Sequence, residues 1–154
     1  MIKINRDIKK NTDLLLNDGY ILPIGERTCI MGVLNITPDS FSDGGLYTEE
    51  EAALKKAIDM VKEGADIIDI GGESSRPGAK AISEEEELSR IMPVISLLKK
   101  ELDVPLSVDT WKSGVAARAL EKGVSVVNDI TALNGDPKMA GTIARFNAAV
   151  VLMH

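Results

Sequence analysis

The chain has 154 residues, a formal net charge of −6 and a pI near 4.9, with 44% hydrophobic, 27% charged and only 3% aromatic residues. That composition suits one modest soluble core, and an acidic chain without a basic patch is poorly suited to nucleic acid or an anionic membrane surface. The single cysteine, Cys29, excludes an internal disulfide and a cysteine-based metal site, and no run approaches the roughly 18 apolar residues of a membrane span. The opening stretch MIKINRDIKKNTD lacks the apolar core of a signal peptide, so the expected setting is a reducing cytoplasm.

In chain order, residues 20–24 and 27 onward read as the arms of a hairpin turning at Gly25-Glu26. Five short apolar runs follow: CIMGVLN from Cys29, DIIDIGG from Asp66, PLSVDT from Pro105, VSVVNDI from Val124 and AAVVLMH from Ala148. Each has the length of a strand and is nearly continuous in apolar residues, as expected where both sheet faces are covered.

Helical patterns fill the gaps. Thr48 with Glu51 forms a capping box ahead of an apolar stripe at Leu54, Ala57, Ile58 and Val61, closed at Gly64. Ser83 with Glu86 repeats the box ahead of Leu88, Ile91, Ile95 and Leu98, and Pro93 predicts a kink or a split in that helix. A third helix starts near Ser113, buries Val115, Ala119 and Leu120, and ends at Gly123. A fourth opens with Asp136-Pro137. One domain is expected over residues 1–154, with an extension and hairpin over 1–28 and five strands with their helices over 29–154. The alternation implies a parallel sheet with right-handed crossovers, either an open doubly wound sheet or part of a (β/α) barrel.

The runs end in polar residues: Asn35, then Gly71-Gly72-Glu73, Asp109, Asn128-Asp129 and His154. Carboxyl ends of parallel strands are where α/β proteins assemble their sites. The connections over 36–48 and 74–83 are long and carry glycine, hydroxyls and an acid or an arginine, a chemistry suited to wrapping an anionic ligand. His154 and Cys29 read as structural, and Trp111 as packing against the third helix.

MGVLNITPDSFSDGG (31–45) and IIDIGGESSRPGA (67–79) resemble the two long signatures of dihydropteroate synthases, and LSVDT, VVNDI and VVLMH are similar to that family's next three strand ends. The resemblance implies an N-terminal five-strand portion of a (β/α)8 TIM barrel, its base closed by an N-terminal hairpin. It implies condensation of hydroxymethyl-dihydropterin pyrophosphate with para-aminobenzoate, with Mg2+ as cofactor and a homodimer for the full-length protein. Position by position, it implies that Asn35 lies on the Mg2+ side, that Ser75, Asp109 and Asn128 bind substrate, and that Asp43 and Arg76 are catalytic loop residues. Ser75 stands where the family more often has Thr. The family's later pocket residues lie beyond position 154. Two other readings share the pattern: a non-catalytic half-barrel, and a pterin-binding methyltransferase, against which both loop signatures argue. Five strands leave two sheet edges unpaired. Val33, Ile68, Val108, Val127 and Leu152 are expected to line the barrel interior, so these residues alone are expected to be inactive and to self-associate.

Overall fold

A computed structural model describes residues 13–37, 48–74, 78 and 80–153. Two short antiparallel strands, β1 (Leu14–Leu15) and β2 (Ile21–Leu22), precede a five-stranded parallel sheet. Its strands are β3 (Met31–Asn35), β4 (Ile67–Gly71), β5 (Leu106–Asp109), β6 (Val126–Asp129) and β7 (Ala149–Leu152). Helices α1 (Glu49–Lys62), α2 (Glu84–Glu101), α3 (Ser113–Glu121) and α4 (Met139–Phe146) connect them in turn. The spatial order β3-β4-β5-β6-β7 follows the chain without reversal. A doubly wound sheet must reverse its order at a switch point, so this is the barrel alternative, wound in one direction. Among the described residues no helix is long and apolar enough to cross a membrane.

Strand parity decides which residues face the helices. Leu34, Ile68, Ile70, Leu106, Val108 and Val127 form one buried cluster with Ala53 and Ala57 of α1, Ile91, Val94 and Leu98 of α2, Val115 and Ala119 of α3, and Met139 and Ile143 of α4. Ladder partners share a face, so Val33, Asp69 and Ser107, together with Asn35, Gly71, Asp109 and Asn128, lie on the opposite, concave face. The expected interior lining is corrected accordingly. Val33 is on the open face and 50% exposed, whereas Ile68, Val108 and Val127 are fully buried under the helices, and Leu152 shares their parity. Apolar runs without alternation hide this parity, because both faces of such a strand accept apolar residues.

The hairpin exists, displaced along the chain. Leu14 pairs with Leu22 and Leu15 with Ile21, so residues 20–24 contribute the second arm, and the partner precedes them. The turn lies at Asn17–Gly19, where Gly19 takes a φ of +87° and Asp18 Oδ1 accepts from the Tyr20 amide at 3.1 Å. Beyond it, the Glu26 and Arg27 amides both bond to the Pro23 carbonyl, a tight turn without a hairpin. Leu16 and Leu22 pack with Ile67 and Val126, flanked by Cys29, Met31 and Ala149, and so cover the amino-terminal end of the open face. Arg27 bonds the Asp66 carboxylate through two nitrogens and fastens this cover to the start of β4.

The helices form for the reasons their sequences suggest, with three corrections. The Thr48–Glu51 capping box is complete, and Ser83 Oγ accepts from the Glu86 amide at 3.2 Å. The α1 stripe is centred one position earlier, on Ala53 and Ala57, with Leu54, Met60 and Val61 beside it and Ile58 off the core. Helix α2 runs unbroken through Pro93, because Ile91, Val94, Ile95 and Leu98 bury their side chains on one continuous face. Helix α4 begins at Met139 rather than at Asp136-Pro137. Asp136 is engaged elsewhere: Oδ2 accepts from the Ser113 amide at the start of α3 and Oδ1 from the Lys138 amide, both at 2.9 Å.

Candidate functional site

The register brings Asn35, Gly71, Asp109 and Asn128 into one row across four strands, at their carboxyl ends and on the open face. Three of the residues singled out from the sequence therefore meet. Asp43, Ser75, Arg76 and His154 lie outside the described residues. Gly71 is the gap in the row. A Cβ there would fall 3.3 Å from Asn35 Oδ1 and 3.6 Å from Asp109 Oδ2, so the missing side chain leaves the amide oxygen and the carboxylate facing a shared space.

One layer below are Asp69 and its ladder partner Ser107. Asn128 Nδ2 donates to Asp69 Oδ2 at 2.9 Å, while Asp69 Oδ1 and Ser107 Oγ are buried with no hydrogen-bond partner among the described residues. Burial raises the Asp69 carboxyl above its ordinary range, offset in part by the Ser107 and Asn128 dipoles beside it. The Asp109 carboxyl is pushed up to about 7, first by burial and then by the negative charges of Asp69, Glu87, Asp129 and Glu73. A carboxyl poised near neutrality on a concave face is the electrostatic mark of a functional group.

Behind the row, Lys112 is buried between two carboxylates, bonding Glu73 and, at 2.5 Å, Glu87 Oε2. Burial works against its charge, but the two carboxylates outweigh that and hold the ammonium above its ordinary range. Arg90 Nη1 adds a 2.8 Å bond to the Gly72 carbonyl, so the chain leaving β4 is tied to α2 and to the β5–α3 junction. Glu73, Ser74, Glu87, Asp109, Thr110, Trp111 and Ile130 line a small open hollow. Trp111 is thus more than packing for α3, since its ring also lies 5.2 Å from the Lys112 ammonium. After β6, Asp129 accepts from Thr131 N, Thr131 Oγ1 and Leu133 N, which holds Ala132 and Leu133 at φ of 51° and 68°. Backbone held in the left-handed region away from glycine is stored strain, typical of site loops.

Sequence reading passed over Asp69, Ser107, Glu87 and Lys112. The signal was present in Asp69: a carboxylate inside IIDIG, two positions before Gly71, carries the same parity as the strand-end row. Among the described residues no cluster of three or more His, Cys, Asp or Glu could hold a metal.

Comparison with known proteins agrees with this geometry. The chain is 56% identical over 129 residues to a dihydropteroate synthase of Bacillus subtilis, covering 84% of the chain and 45% of the relative. Its identity to that of Clostridium beijerinckii is 51% over 131 residues, covering 85% and 49%. The fold matches a crystal structure of the Clostridium difficile synthase in the presence of pteroic acid, with a TM-score of 0.81 and 54% identity, covering 84% of the chain and 49% of the other. It also matches the Xanthomonas albilineans synthase with 4-aminobenzoic acid, with a TM-score of 0.84 and 47% identity, covering 90% and 50%. The chain thus spans about half the length of the relatives it matches, and its five strands are a consecutive portion of their barrel. The family model described as pterin binding enzyme matches residues 31–154, and the chain belongs to that family.

Proposed function

We propose that this chain supplies the pterin-holding half of a dihydropteroate synthase, which condenses hydroxymethyl-dihydropterin pyrophosphate with para-aminobenzoate. The observation that supports it most is the row Asn35, Gly71, Asp109 and Asn128 on the concave face, with Asp109 held near neutrality. A pterin edge presents amino and ring N–H donors beside an acceptor. A carboxylate and a carboxamide side by side answer both kinds, and each such group left unpaired would cost roughly 1–3 kcal/mol.

In the reaction the arylamine nitrogen bonds to the pterin methylene carbon. The carbon–oxygen bond to pyrophosphate breaks with its electron pair leaving on oxygen, and the nitrogen gives up a proton. Asp109 and Asn128 hold the ring and so aim the methylene carbon towards the barrel mouth. Asn35 would hold Mg2+ through its amide oxygen, a hard donor beside the gap at Gly71. When bound, the ion offsets the charge that grows on the departing pyrophosphate. We assign Ser75 to substrate binding, Arg76 to the para-aminobenzoate side, and Asp43 to stabilising positive character on the methylene carbon. We further place the protein in the cytoplasm, with neither nucleic acid nor membrane as partner, supported by its acidic charge and lone cysteine. A homodimer for the full-length protein rests on the family resemblance.

The test is a coupled pyrophosphate-release assay with both substrates, run on these residues alone and with a C-terminal half that completes the barrel. Release that needs both substrates and appears only in the completed barrel supports the reading. No release from the completed barrel contradicts it.

A further inference from the structure

Asp69 is a carboxylate in the middle of a buried strand, 2% exposed and surrounded in sequence by Ile67, Ile68 and Ile70. An apolar residue would suit that position better, because a buried carboxylate without a cation loses its hydration for little return. The described residues offer it no cationic partner. Among the described residues its side chain is met by Asn128, 59 residues away, where Nδ2 donates to Asp69 Oδ2 at 2.9 Å, and by the Ser107 hydroxyl beside it. Asn128 is in the row that faces the concave side, ladder-paired with Asp109, and Asp69 is one layer beneath.

A carboxamide has two orientations of nearly equal shape, and they exchange donor for acceptor. A carboxylate can only accept. With Asp69 below, the Asn128 amide must direct its NH2 group downward, which leaves its carbonyl oxygen and one remaining N–H for a ligand. Next to it, Asp109 supplies further acceptor oxygens.

We propose that Asp69 is a positioning residue, which sets the direction of the Asn128 carboxamide and thereby selects a flat heterocycle presenting N–H donors to this row. The inference rests on the reading of the row as a pterin floor, and it names the device that fixes the pattern of that floor. Asp69 acts through Asn128 and makes no contact of its own with the ligand.

The experiment is a double-mutant cycle in the full-length protein, read by titration calorimetry with pterin pyrophosphate. Asp69→Asn keeps the shape and removes the obligate acceptor. It should weaken binding about tenfold in the natural background and less than about twofold in an Asn128→Ala background. Equal losses in both backgrounds, or no loss in the natural one, would overturn the proposal. A measurement on the unmodified protein stands beside it. The two Asn128 amide protons, followed by NMR, should exchange with solvent at rates differing at least tenfold, since one is bonded to a buried carboxylate. Equal rates would overturn the proposal without any variant having to fold. If the unmodified protein fails to bind pterin pyrophosphate at all, the reading of the row falls. The amide exchange then still decides whether Asp69 orients Asn128.

Discussion

Asp109 illustrates how a strand end becomes a site. Its backbone is fixed on both sides, by Gly71 of β4 and Asn128 of β6. Its carboxyl meets burial and four acids, Asp69, Glu87, Asp129 and Glu73, which together push it up to about 7. Because the folded pKa lies above the unfolded one, the folded state keeps a proton that the unfolded chain has lost. The favourable contribution is complete below about pH 4 and is lost as pH rises through about 7. Asp69 is raised as well and has the same sign. Stability in urea should therefore fall between about pH 4 and 7, and Asp109→Asn should flatten that slope. Identical slopes in both proteins would show that Asp109 is ionised throughout. Ligand binding follows the opposite course, since N–H donors favour the ionised carboxylate, so pterin affinity should increase up to about pH 7 and then level off.

Among the elements, α2 departs most from expectation. Pro93 removes one helical hydrogen bond and crowds the preceding turn, yet the helix continues from Glu84 to Glu101. Its buried face outweighs the local cost, whereas Pro93 itself is on the exposed side. Pro93→Ala should therefore raise unfolding stability by about 1 kcal/mol or more, as the recovered bond comes without a lost contact. A loss of stability on chemical denaturation would mean that the ring itself packs.

Much of this level was legible in the amino acids, because capping boxes and strand-length apolar runs are local patterns. Thr48 with Glu51 and the run at Ile67 needed no tertiary knowledge. Parity was not legible, since Ile68 and Asp69 differ only in which layer they meet, and that is set by neighbours distant in sequence. The hairpin was misplaced because its paired segments are only two residues long, too short for alternation to register. Asp136 reads as the cap of the helix that follows it, and only folding brings it to the amide of Ser113, 23 residues earlier. In the site, Asn35, Asp109 and Asn128 stood out as polar residues ending apolar runs. Lys112 did not, because its partners Glu73 and Glu87 come from other elements.

At the scale of the whole molecule, the sheet has two unpaired edges among the described residues, β3 and β7. β3 and the residue before it present Val33 and Ile30, and β7 and the residue after it present Val150, Val151, Leu152 and Met153, all exposed. An apolar sheet edge with free backbone groups is a template for pairing with another chain. A polypeptide of these 154 residues alone should therefore sediment as oligomers or aggregate at micromolar concentration. Replacing Val151 on β7 with lysine should shift it towards monomer. A wild-type monomer in sedimentation velocity would contradict this. In the relatives, which are about twice as long, the rest of the chain completes the barrel.

The central claim is that the row from Asn35 to Asn128 is a pterin floor, and calorimetry tests it most directly. Pterin pyrophosphate should bind the completed barrel, and Asp109→Asn should weaken it by about 2–4 kcal/mol through loss of a buried charge-assisted pair. Mg2+ should strengthen that binding while hardly affecting a pterin without phosphates, since Asn35 would hold the ion and the ion would offset the charge of the phosphates. Unchanged affinity in Asp109→Asn would contradict the account and remove Asp109 from the site.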